Sequence, residues 1–68
     1  MELSARNQIA GTVTSVRVEG LMGEVSVDIG AGTEVVTTIT KVSALRMGLK
    51  AGDRVIVVIK ASEVLIAK

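Results

Sequence analysis

The 68-residue chain contains no histidine, no cysteine, no proline and no aromatic residue. Without His or Cys it lacks the common nucleophile–base pairs and the usual zinc ligands, and it has no disulfide staple. Its seven carboxylates (Glu2, Glu19, Glu24, Asp28, Glu34, Asp53 and Glu63) are scattered and form no calcium loop. The glycine strings Gly20–Gly23 and Gly30–Gly32 are too short to cradle a phosphate, and no Gly-Lys-Ser/Thr follows them. The missing aromatics remove the stacking platforms on which single-stranded nucleic acid is held. Eight Lys and Arg against seven Asp and Glu leave a net charge of +1, too balanced to draw in nucleic acid or an anionic membrane by field alone. No apolar run approaches the roughly 20 residues that span a bilayer, and Met1–Arg6 lacks the basic start and apolar stretch of a signal peptide. These absences predict a cytoplasmic protein that is not an enzyme, with neither nucleic acid nor membrane as partner.

What remains is rich in strand formers. Twelve Val, six Ile and six Thr are β-branched and favour extended backbone. Apolar residues make up 49% of the chain, which argues against disorder. The expectation is one all-β domain over residues 1–68. A first long strand runs from about Leu3 to Val18. Its apolar parity switches between Val13 and Val16, which predicts a bulge near Thr14-Ser15. In the second strand Val25, Val27 and Ile29 alternate with Glu24, Ser26 and Asp28. A third strand covers about Thr33–Thr40.

Thr40 then suits the N-cap of a short helix over Lys41–Met47. Val42 and Leu45 are spaced for its buried face, and Gly48 suits the residue past its end. A fourth strand follows over Arg54–Lys60 and a fifth over Val64–Ala67, both apolar on two faces. This order predicts a five-stranded, OB-fold-like Greek-key barrel with one short helix between strands 3 and 4. Two dry faces on adjacent strands predict that another subunit covers the second. A core this small, without metal or disulfide, also points to a homo-oligomer.

Polar chemistry collects in three places. Ser4-Ala5-Arg6-Asn7-Gln8 offers a hydroxyl, a guanidinium and two carboxamides. Read as strand, Ser4 and Arg6 share one face, and the planar fork of Arg6 suits paired oxyanion oxygens. Lys60-Ala61-Ser62 adds an ammonium, a hydroxyl and backbone amides. Thr40 and Ser43 bracket the helix start, where unpaired N–H groups favour anions. Each has a plain alternative. Arg6 pairs with Glu63 or Glu2 while Asn7 and Gln8 satisfy backbone, Lys60 is solvated and Ser62 caps a turn, and Thr40 merely caps. Taken together, three donor-rich sites on a chain without catalytic groups point to the holding of an anion.

Ser4-Ala5-Arg6-Asn7-Gln8-Ile9-Ala10-Gly11, Ile39-Thr40-Lys41-Val42-Ser43 leading to Leu45 and Gly48-Leu49, and Val58-Ile59-Lys60-Ala61-Ser62-Glu63-Val64 resemble the signatures of the molbindin (Mop) family, in order and across the whole chain. The resemblance implies an OB-like domain that assembles as a hexamer, a trimer of dimers. It implies binding of molybdate, and often tungstate, between subunits, with no covalent cofactor and no directly ligated metal. It also implies oxyanion contacts from Ser4, Arg6, Lys60, Ala61 and Ser62, with Thr40 and Ser43 from a neighbour, and a role in storage or homeostasis. The alternatives are an interaction module without a small-anion ligand, or binding of the molybdopterin cofactor.

Overall fold

A computed structural model describes residues 3–68. It contains four strands, β1 (Asn7–Glu19), β2 (Met22–Gly30), β3 (Thr33–Thr40) and β4 (Arg54–Ile59), with one helix, α1 (Lys41–Met47), between β3 and β4. A single 3-10 turn, Ala61–Glu63, follows β4. The strands form one antiparallel sheet in the order β3-β2-β1-β4.

The sheet curls because β1 changes partner along its length. Asn7–Thr12 pairs with β4, and Thr12–Glu19 pairs with β2. The register slips between Val13 and Ser15, where the parity switch in the sequence placed a bulge. The extra residue, Thr14, turns outward, and its hydroxyl donates to Ser26 O at 3.2 Å and to Glu34 Oε2 at 3.0 Å. Gly11 permits the crossing. A Cβ there would stand 2.6 Å from Val27 Cγ1 and 2.8 Å from the carbonyl oxygen of Asp28, closer than packed atoms tolerate. The core is Val13, Val25 and Val27, flanked by half-buried Val16, Ile29, Ile39, Leu49, Val55 and Val57.

The helix is bounded as its sequence predicts. Thr40 Oγ1 accepts from the Ser43 amide at 3.1 Å, and Gly48 takes the left-handed conformation, with φ 59°, that closes the last turn. Its buried face differs from the expectation. Ala44 is the buried residue, whereas Val42 and Leu45 are exposed. The contact between α1 and the sheet is close, and a methyl fits it: the position a Cβ would take on Gly23 lies 3.5 Å from Ala44 Cβ. Ser26, expected on the polar face of β2, is buried as well.

Two further expectations are corrected. β1 starts at Asn7, so Ser4 and Arg6 lie in an irregular lead-in rather than on a strand. The fifth strand expected over Val64–Ala67 is not formed, and the observed sheet has four strands. After the 3-10 turn the chain runs on without strand pairing, with Leu65 91% and Ile66 90% exposed. A strand needs a partner edge for its amides and carbonyls, and here the tail lies against neither outer strand. Meanwhile β3 and β4, the two outer strands, approach across an apolar groove of about 220 Å³ lined by Thr37, Ile39, Met47, Leu49 and Val55–Val58 above the core valines.

Candidate functional site

β1 and β4 run antiparallel, with Asn7 opposite Ile59. The chain entering β1 and the chain leaving β4 therefore emerge side by side. This register brings the two ends of the polypeptide together. Ser4, Ala5 and Arg6 from the lead-in and Lys60, Ala61 and Ser62 from the turn border one cleft of about 530 Å³, with Val58 on its side. Five of the seven residues singled out in the sequence thus meet in one place.

Local hydrogen bonds shape the cleft. Asn7 Nδ2 donates to Ile59 O at 3.2 Å and clamps the ends of the two strands. Gln8 Nε2 donates to Ala5 O at 2.8 Å and folds the lead-in over β1. These two carboxamides satisfy backbone, as the plain reading expects. In the 3-10 turn the amides of Glu63 and Val64 donate to the carbonyls of Lys60 and Ala61 at 2.8 and 3.3 Å. The first amides of such a turn have no partner within it, and Ala61 and Ser62, which carry them here, both border the cleft.

The electrostatics are one-sided. Two cations, Arg6 and Lys60, lie just beyond the adjoining ends of paired strands, and among the described residues no carboxylate lines the cleft. Among the described residues the ion pair is Lys50 with Asp53, at 3.0 Å. Arg6 makes no ion pair with Glu63, and Glu2 lies outside the described residues. Two like charges bordering one cleft repel, so the cleft favours an anion. Hydroxyls of Ser4 and Ser62 add neutral donors at its edge.

Thr40 and Ser43 do not border this cleft. They stand at the start of α1, where the Thr40 hydroxyl donates to Ser43 Oγ at 2.9 Å while accepting from its amide. Ser43 shares a separate open depression with Arg46 and Met47. Within one chain, then, Thr40 serves as a cap. Val58 was not singled out in the sequence. The available signal was its spacing: in the strand expected over Arg54–Lys60 it stands two residues before Lys60 and so on the same face.

The TOBE domain family matches residues 3–66. The chain is 42% identical over 66 residues to the molybdenum transport protein ModE of Azotobacter vinelandii, covering 97% of this chain but only 24% of that protein. It therefore spans about a quarter of the length of the molybdenum transport proteins that it matches. It is 36% identical to molybdenum-pterin-binding protein 3 of Clostridium pasteurianum, with 97% of each covered. Its fold superposes on a molybdate-binding protein of Sporomusa ovata with a TM-score of 0.93 and 34% identity over the full length of both. The residues that meet at the strand ends, the curled sheet and these matches agree: the chain is a TOBE-domain protein of the molbindin (Mop) family.

Proposed function

We propose that this protein binds molybdate or tungstate, as an intracellular store or buffer in the cytoplasm, without catalysing a reaction. The observation that carries this reading is that Arg6 and Lys60 border one cleft in which, among the described residues, there is no carboxylate. A tetrahedral dianion there meets two formal positive charges. Ser4, Ser62 and the amides of Ala61 and Ser62 supply donors to its oxygens, and a buried charge needs both kinds of partner. Polar side chains that can donate also suit an ion that carries no proton at pH 7.

The cleft is wide for one such ion, and a neighbouring subunit closes it. Thr40 and Ser43 of that neighbour supply the remaining hydroxyls. Three features support assembly. A compact monomer of 7.0 kDa exposes roughly 4,000 Å², whereas this chain exposes 5431 Å². Val42, Leu45, Ile56, Leu65 and Ile66 are exposed and apolar. The apolar groove between β3 and β4 matches the apolar Val64–Ala67 tail in character, so the tail of a second copy completes a five-stranded barrel. The assembled form is the hexamer that the family resemblance implies, a trimer of dimers.

The width of the cleft also favours a second reading, in which the ligand is the larger molybdopterin cofactor. The chain has no aromatic side chain on which a pterin ring would stack, which places this reading second. Calorimetric titration with molybdate, tungstate and sulfate tests the proposal. Heat with the first two and little with sulfate is expected. No heat with molybdate or tungstate, or equal affinity for sulfate, overturns it.

A further inference from the structure

Val58 is the largest apolar side chain on the donor cleft, and nothing in the anion-holding chemistry above requires it. On β4, Ile56 and Val58 are exposed on one side, while Val55, Val57 and Ile59 alternate with them and are half-buried. Gln8 stands opposite Val58 in the β1·β4 register, but its amide is turned back onto Ala5 O. Val58 is 44% exposed and borders the cleft together with Lys60, at the point where the cleft adjoins the apolar groove that Val58 also lines.

We propose that Val58 is the specificity-determining residue of the cleft, selecting large oxyanions over sulfate. This rests on the oxyanion reading above and deepens it. Arg6, Lys60, Ser4 and Ser62 all donate, and none of them distinguishes one tetrahedral dianion from another by charge. Discrimination has to come from the part of the lining that does not donate. An anion against Val58 sheds water on that side and gains no hydrogen bond in return. The cost of stripping water from a doubly charged ion rises as the ion shrinks. Sulfate, smaller than molybdate or tungstate at the same charge, therefore loses more at this wall. The branched methyls also hold the wall in one rotamer, so the space beside Lys60 is fixed.

Two substitutions read the wall in opposite directions. Val58→Thr keeps the branched shape and adds a hydroxyl donor, which replaces one of the waters that sulfate loses. Val58→Ile keeps the wall apolar and moves it inward, which crowds the larger ions first. The experiment is competition calorimetry of the wild type and both variants with molybdate, tungstate and sulfate at constant ionic strength. Particle mass and ligand-free melting temperature are measured alongside, to confirm that each variant folds and assembles as the wild type does. For Val58→Thr the preference for molybdate over sulfate should fall by roughly 3- to 10-fold, the worth of one added hydrogen bond. For Val58→Ile the molybdate and tungstate affinities should fall more than that for sulfate. Wild-type ratios in both correctly assembled variants would overturn the proposal while leaving the functional reading intact. A wild type that takes up neither molybdate nor tungstate would overturn both.

Discussion

The middle of this molecule and its β4 end are built from the same residue types but finished differently. Around Val13, Val25 and Val27 the strands bury their apolar side chains within one chain, and the bulge, the close approach at Gly11 and the capped helix all serve that packing. At the other end, Ile56 and Val58 face outward, Leu65 and Ile66 trail in solvent, and the groove beside β3 stays open. The cations of the cleft lie in this second region. Val, Leu and Ile side chains exposed together cost solubility and offer nothing to a monomer. On the proposed reading their placement beside the donor cleft links assembly to ligand binding: the segment Lys60–Ser62 follows β4, borders the cleft and leads into the tail.

That contrast can be broken first at the tail. Replacing Leu65 and Ile66 together by Lys should dissociate the oligomer by roughly 3–6 kcal/mol per protomer, the worth of two buried aliphatic side chains. The isolated chain should keep its strand content. Sedimentation and far-ultraviolet circular dichroism check the two halves of this statement.

Next come the cations. Arg6→Ala or Lys60→Ala should each weaken molybdate binding by roughly 10- to 100-fold, the range for a charge-assisted hydrogen bond. Neither should lower the ligand-free melting temperature, because each removes one of two like charges bordering one cleft. Titration and thermal melts of the same samples separate the two effects.

In the finished region the expectation reverses. Gly11→Ala should cost about 1–3 kcal/mol of stability by overpacking against Val27 and the Asp28 carbonyl, read by chemical denaturation, with the anion preference unchanged. Thr40→Ala should cost about 1 kcal/mol through loss of the helix cap.

The smallest effect concerns Asp53, whose carboxylate accepts from the side chain and the amide of Lys50. The Lys50 side-chain bond is the main cause that holds the Asp53 carboxyl below its ordinary value. A depressed acid stabilises the fold at pH values above its unfolded pKa, about 3.9 for aspartate. That contribution is lost as the pH falls through the depressed folded value. Asp53→Asn should therefore melt slightly below the wild type at pH 7, and the gap should close toward pH 3.

Most of the finished region was legible in the sequence. The alternation along β2, the parity switch at Thr14-Ser15, and the pair Thr40 and Gly48 around the helix are local signals, each set by backbone geometry and near neighbours. The unfinished region was read less well, for a consistent reason. Val64–Ala67 has the composition of a strand, but strand formation depends on an edge to pair with, which the tail does not find in its own chain. Val42 and Leu45 have the spacing of a buried helical face, but what reaches the sheet is the small Ala44. Ser4 and Arg6 precede β1, so strand alternation does not set their directions. They still reach the cleft, because what brings them there is the β1·β4 register at Asn7 and Ile59. Val58 reads in the sequence as packing, because it is an apolar residue in a strand, and its proposed role rests on the cleft that it borders with Lys60.

The central claim, that donors from both ends of the chain close on one doubly charged oxyanion, is tested most directly by crystals grown or soaked with tungstate, with data collected at a tungsten absorption edge. The account predicts an anomalous peak in the cleft, within hydrogen-bonding reach of Arg6, Lys60 and Ser62, with hydroxyls of an adjoining protomer on its far side. A fully occupied tungsten site elsewhere on the protein, with this cleft holding only water, would contradict it.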